Sequence, residues 1–137
     1  MARGAAVAML ASALCACAAL PPPQADCAVG APRQRHALYF GLTTADGAEI
    51  DDAQWRGFLS DIVTPRIPEG LTVLHAYGQW RDRAGGAITR QPARTLVIVT
   101  DGTDAVEARI EAIRAAYRER FDQQSVLRVS APVCAAF

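Results

Sequence analysis

Four short apolar runs alternate with two helical stripes along the chain, and that order limits the fold more than any other feature. The runs lie at residues 37–42, 71–80, 94–100 and 126–131, with the length and the β-branched or aromatic content of strands. After the first run, Trp55, Phe58, Leu59, Ile62 and Val63 recur at helical spacing. Asp51 and Gln54 frame a capping box ahead of that stripe, and Ile50 with Trp55 has the spacing of a hydrophobic staple. Pro65 ends the helix, because a residue before proline resists the α region. After the third run, Val106, Ile110, Ile113, Tyr117 and Phe121 form a second stripe behind an expected capping box of Asp104 and Glu107. Glu107, Glu111, Arg114 and Arg118 occupy its other side, solvated by default. Residues 82–87, with Gly85-Gly86, turn the chain between the second and third strands. Pro92 predicts a bulge or an unpaired position near the start of the third strand, and Pro132 is expected to close the fourth.

The order β-α-β-β-α-β predicts an α+β, ferredoxin-like domain: a four-stranded antiparallel sheet with two helices on one face. Its strand order is 4-1-3-2, so the first and third strands are central. Leu96-Val97-Ile98-Val99 is apolar on both faces, as a central strand requires. Two helices cover only one side, so a second copy, a ligand or residues 28–36 must cover the other. A homodimer through that open face is the expected partner arrangement, since self-complementary packing needs no further component.

The N-terminal residues describe an exported chain. Arg3, an apolar run over residues 5–14 and then small residues make up the three parts of a signal peptide. That run is about half of a bilayer span. Leu14-Cys15-Ala16-Cys17 resembles the bacterial lipobox, which implies lipidation of Cys17 and membrane attachment through it. Ordinary cleavage after Ala18 is the alternative, and gives a soluble periplasmic or secreted protein. The division is then 1–16 signal peptide, 17–33 lipid-anchor tether with the stiff Pro21-Pro22-Pro23, and 34–137 a single domain. With Cys15 removed and Cys17 lipidated, Cys27 and Cys134 remain to form one disulfide around the folded region. Closing a loop on the order of 100 residues stabilises a fold by up to about 4.7 kcal/mol.

Several motifs together resemble the bacterial domain of unknown function 3574 family. These are Leu38-Tyr39-Phe40-Gly41, the stretch from Val63-Thr64-Pro65-Arg66 to Leu71-Thr72-Val73, Gly78-Gln79-Trp80-Arg81 and Ser125-Val126-Leu127-Arg128-Val129. Ile110-Glu111-Ala112-Ile113 and the ending Val133-Cys134-Ala135-Ala136-Phe137 fit as well. The resemblance runs from about Cys27 to the end. It implies an envelope or secreted protein and supplies no catalytic residues.

Fourteen arginines balance fourteen acidic residues, so the chain has no basic footprint for nucleic acid. No nucleotide-loop, metalloprotease or esterase motif appears, and no catalytic residue, metal ligand set or cofactor is assigned. Binding candidates are Tyr39, His75, Tyr77, Gln79 and Arg128, expected together on the open sheet face. His75 there has the pKa of a general base but no sequence neighbour to act with. The expected function is a non-catalytic binding or assembly module of the envelope. The alternative is a small periplasmic enzyme or ligand carrier using the face around His75 and Tyr77.

Overall fold

The computed structural model describes residues 26–81 and 85–137. Its elements are β1 (Ala31–Gly41), α1 (Asp52–Phe58), β2 (Thr72–Arg81), β3 (Ile88–Thr100), α2 (Asp104–Arg120) and β4 (Leu127–Ala135). All strand pairs are antiparallel, in the order β2-β3-β1-β4, so the ferredoxin-like α+β arrangement is the observed one. The signal segment, Cys17 and the prolines of the tether lie outside the described residues. β1 starts at Ala31, ahead of the boundary at 34, and the Cys27–Cys134 disulfide ties the chain before it to β4, with Cα atoms 5.5 Å apart.

Local chemistry explains most of the elements. Asp51 accepts from the Gln54 N–H at 2.8 Å and Gln54 returns the bond to the Asp51 N–H at 3.0 Å, which fixes the start of α1. The helix continues through Leu59–Val63 as a π-helical turn before Pro65 stops it. α2 opens without the expected capping box. Thr103 is its N-cap with no side-chain bond, Asp104 is already helical, and Glu107 turns to Arg128 instead.

Both prolines sit inside strands. Pro92 causes no bulge: its carbonyl accepts from Leu42 at 2.9 Å, while the Leu42 carbonyl takes the Ile50 N–H that proline cannot replace. Pro132 does not close β4 either. It pairs with Gln34 in an edge strand, where a missing donor is tolerated, and β4 continues to Ala135.

The core lies between the sheet and the helices. Phe40 is fully buried, with ring centroids 4.7 Å from Tyr117, 5.4 Å from Trp55 and 5.9 Å from Phe58. The edge-to-face pairs with Tyr117 and Trp55 add about 0.5–1.5 kcal/mol each beyond their burial. The Tyr117 hydroxyl donates to the Gly41 carbonyl at 2.8 Å, and burial pushes its phenol well above the usual value.

Candidate functional site

Residues paired across antiparallel strands project to the same side of the sheet, so the register assigns the faces. Leu38, Phe40, Leu96 and Ile98 face the helices and are wholly buried. The pairs Val73↔Leu96, His75↔Arg94, Tyr77↔Pro92 and Gln79↔Arg90 place His75, Tyr77 and Gln79 on that same side. Leu38↔Arg128 does the same for Arg128. Of the five binding candidates only Tyr39 faces the open side, so the expected common face is corrected. Alternation shows which residues of a strand share a face; the pairing of Val73 rather than Leu74 with Leu96 decides which face it is.

The open side carries Leu74 (47% exposed), Leu127 (57%) and Val129 (47%), with Tyr39 and Trp80 also exposed. Ala37, Ala76, Ala93 and Val97 lie among them by register. Val97 and Val99 are the outward positions of β3, while Leu96 and Ile98 both point inward. Arg33 and Arg35 at the start of β1 are the charged strand residues on this side among those described. Residues 31–36 are in β1 beside β4, so they do not fold across the face. The ladder of β1 on β3 stops at Gly41↔Ala93, whereas β2 stays paired to Arg81↔Ile88. The β2–β3 pair therefore projects as a two-stranded arm, with Tyr77, Trp80 and Ile88 exposed along it.

Where the arm leaves the sheet there is a groove of about 540 Å³. Tyr39 and Gln91 lie along its sheet side, β2 from Ala76 to Trp80 forms one wall, and the loops at Thr43–Ala45 and Asp122–Ser125 form its rim. Tyr77 and Gln79 line it too; His75 and Arg128 do not. Gln123 donates from Nε2 to the Thr43 carbonyl at 2.8 Å and ties the two rim loops together. Thr44 holds its own loop by bonds to Asp46 and to the Ala48 carbonyl.

The densest polar cluster lies on the opposite side of the sheet, and only Arg128 of it was a sequence candidate. His36 is completely buried beneath α2. Its Nδ1 stands 2.9 Å from Ser130 Oγ and 3.2 Å from an Arg128 guanidinium nitrogen, and Nε2 is 3.4 Å from Thr100 Oγ1 and 3.5 Å from Glu107. Arginine can only donate, so Nδ1 accepts and Nε2 carries the proton. Burial, followed by the Arg128 charge, holds the His36 pKa below its usual value against the opposing pull of Glu107. Arg128 also pairs with Glu107 and, at 2.8 Å, with Glu111. Burial alone would raise the Glu111 carboxyl, but hydrogen bonds from Arg114 and Arg128 hold it low. Glu107 and Glu111 thus join β4 to α2 through Arg128 while keeping part of their surface in water. His36 itself has no exposed surface, and the bonds of the cluster hold β4 against α2. Its position alternating with Leu38 and Phe40 is the sequence signal that places His36 on the helix side.

Asp51 and Asp52 divide into a cap and the ion-pair partner of Arg94 at 2.8 Å. Among the described residues no group of three or more His, Cys, Asp or Glu is placed to hold a metal ion, and no helix is long and apolar enough to cross a membrane.

The profile of the DUF3574 family, proteins of unknown function, matches residues 35–137. None of the proteins of curated function matches the chain. Among solved structures, a phage SAM lyase in complex with S-methyl-5'-thioadenosine superposes with a TM-score of 0.58 at 14% identity, covering 80% of this chain and 95% of the lyase. The apo state of a phage SAM lyase gives 0.54 at 13% identity, over 76% and 90% of the two chains. At such identity the similarity establishes the fold.

Proposed function

The chain belongs to the DUF3574 family, and from its open sheet face we propose that it is an exported, lipid-anchored envelope module acting without catalysis, by binding a second copy of itself. The observation that carries this reading is the uncovered apolar side of the sheet, where Leu74, Leu127 and Val129 each leave about half their surface in water. Apolar surface left in water costs about 25 cal/mol per Å², and large contiguous patches mark contact surfaces. With residues 31–36 committed to β1, this segment does not serve as the cover. The arm adds support, because a two-stranded hairpin is marginal by itself and gains from a neighbour. Export and anchoring are supported by the signal-like N-terminal residues and Leu14-Cys15-Ala16-Cys17, and the Cys27–Cys134 disulfide suits an oxidising compartment.

Two measurements test the proposal. Wild type expressed in a bacterium should fractionate with membranes and the Cys17→Ser variant with the soluble fraction; equal partitioning rejects the anchor. Sedimentation of the soluble variant at tens of micromolar should give a dimer, and a monomer rejects the second copy.

A second reading, a carrier of a small ligand, is favoured by the groove beside the arm. It shares Tyr39, Trp80 and Leu127 with the open face. The phage lyase of similar fold was solved with S-methyl-5'-thioadenosine, which makes that compound a rational first member of a thermal-shift screen.

A further inference from the structure

We infer that the groove beside the arm is a site for the base of an unphosphorylated nucleoside; the inference rests on the carrier reading and adds the ligand class. Its volume of about 540 Å³ lies within the range of small-molecule sites. Tyr39 and Trp80 provide flat apolar surface, and base–aromatic stacking needs no particular base. Gln91 supplies the hydrogen-bonding edge. Its Oε1 is buried without a donor, an unmet acceptor that a ligand N–H would satisfy. The amide lies against the bare α carbon of Gly41, where a Cβ would stand 2.4 Å from Nε2. Gln91 lines the groove and the terminal torsion of glutamine is soft, so Oε1 is the acceptor a base N–H would meet after that torsion turns. Gly78 leaves the wall open, since a Cβ there would meet nothing within 4 Å.

Charge narrows the class. Among the described residues no arginine or histidine lines the groove, and Asp122 stands on its rim. Among the described lining residues a phosphate would meet the Asp122 carboxylate and no cation, so nucleotides are disfavoured relative to nucleosides. The rim hydroxyls of Thr43, Thr44 and Ser125 are suited to a ribose. The linked rim loops hold this arrangement before any ligand enters, which lowers the ordering cost of binding.

Calorimetric titration of the detergent-solubilised full protein tests the inference, with adenosine, adenosine monophosphate and maltose as probes. Adenosine should bind, and the monophosphate at least tenfold more weakly. Gln91→Leu should weaken adenosine by about tenfold, the lower part of the range for a lost buried hydrogen bond. Should Gln91→Leu fail to fold, Asp122→Asn on the exposed rim should narrow the gap between adenosine and its monophosphate. Equal binding of the two in wild type overturns the charge argument and with it the nucleoside class. Binding of maltose without adenosine overturns the nucleoside class and leaves a carrier, whereas no binding of any probe overturns both.

Discussion

The two sides of the sheet are both apolar, yet they end in opposite states. On the helix side, Leu38, Phe40, Leu96 and Ile98 lose all contact with water. On the other, Leu74, Leu127 and Val129 keep about half of theirs. Two helices and four strands make a two-layer domain, so one side must stay open or find a partner. Polarity is distributed against simple intuition as well. The helix side holds the buried His36–Arg128 cluster, while among the described strand residues the open side has arginines only at one end. What decides the fate of a strand residue here is the register that puts it above or below the sheet, more than its own hydrophobicity.

The largest expected effect tests the closed side. Phe40→Ala should cost about 3–5 kcal/mol in urea unfolding, since it empties the centre of the aromatic cluster. A loss below about 1 kcal/mol would mean that the core is not packed there. Removing the disulfide in a Cys27→Ser, Cys134→Ser double variant should cost about 2–5 kcal/mol by the same measurement. Free alkylatable thiols in the exported wild type would remove the basis for that expectation.

The polar clamp is the next step down. β4 turns Arg128 and Ser130 toward α2, so charge rather than apolar packing binds this part of the strand to the helix. Arg128→Met should destabilise by about 1–3 kcal/mol, because it removes the guanidinium that joins Glu107 and Glu111 to β4 and leaves His36 Nδ1 to Ser130 Oγ. A neutral result would show that water replaces the guanidinium without loss.

A pH series examines the same cluster. His36 has a folded-state pKa below its ordinary 6.5, so the unfolded chain takes the proton first as pH falls. Stability should therefore be full above about pH 6.5 and decline below it, with His36→Gln flattening the slope. Glu111, held low, adds a second loss only in stronger acid, as pH falls through the folded carboxylate's pKa. A wild type whose stability rises between pH 6.5 and 5 would contradict this environment for His36. The smallest effect belongs to the open side: Leu127→Ala in dilute solution should change stability by no more than about 0.5 kcal/mol.

Much of the fold is legible in the sequence, for local reasons. The Asp51–Gln54 box, the stripe from Val106 to Phe121 and the apolar doublets of β3 act within one element or one strand. The pairing of Cys27 with Cys134 follows from compartment and elimination. What needs pairing information is not legible. Tyr39, His75, Tyr77 and Gln79 each alternate cleanly, but only the register of β2 on β3 shows that three of them point away from Tyr39. Pro92 and Pro132 read as breaks, because proline marks a missing donor and cannot say whether a neighbour needed one. Glu107 reads as a cap residue or a solvated one until Arg128 arrives from a strand that follows it in the chain.

Hydroxyl-radical footprinting across protein concentration tests the open face most directly, because the arm carries its own control. Leu74, Trp80, Leu127 and Val129 lie on the open side, while Tyr77 and Ile88 are exposed on the reverse. The Cys17→Ser protein, oxidised at nanomolar and at tens of micromolar concentration, should lose labelling at the first four residues as concentration rises and keep it at Tyr77 and Ile88. Labelling that is unchanged with concentration, or protection confined to Tyr77 and Ile88, would contradict self-association through the open sheet face.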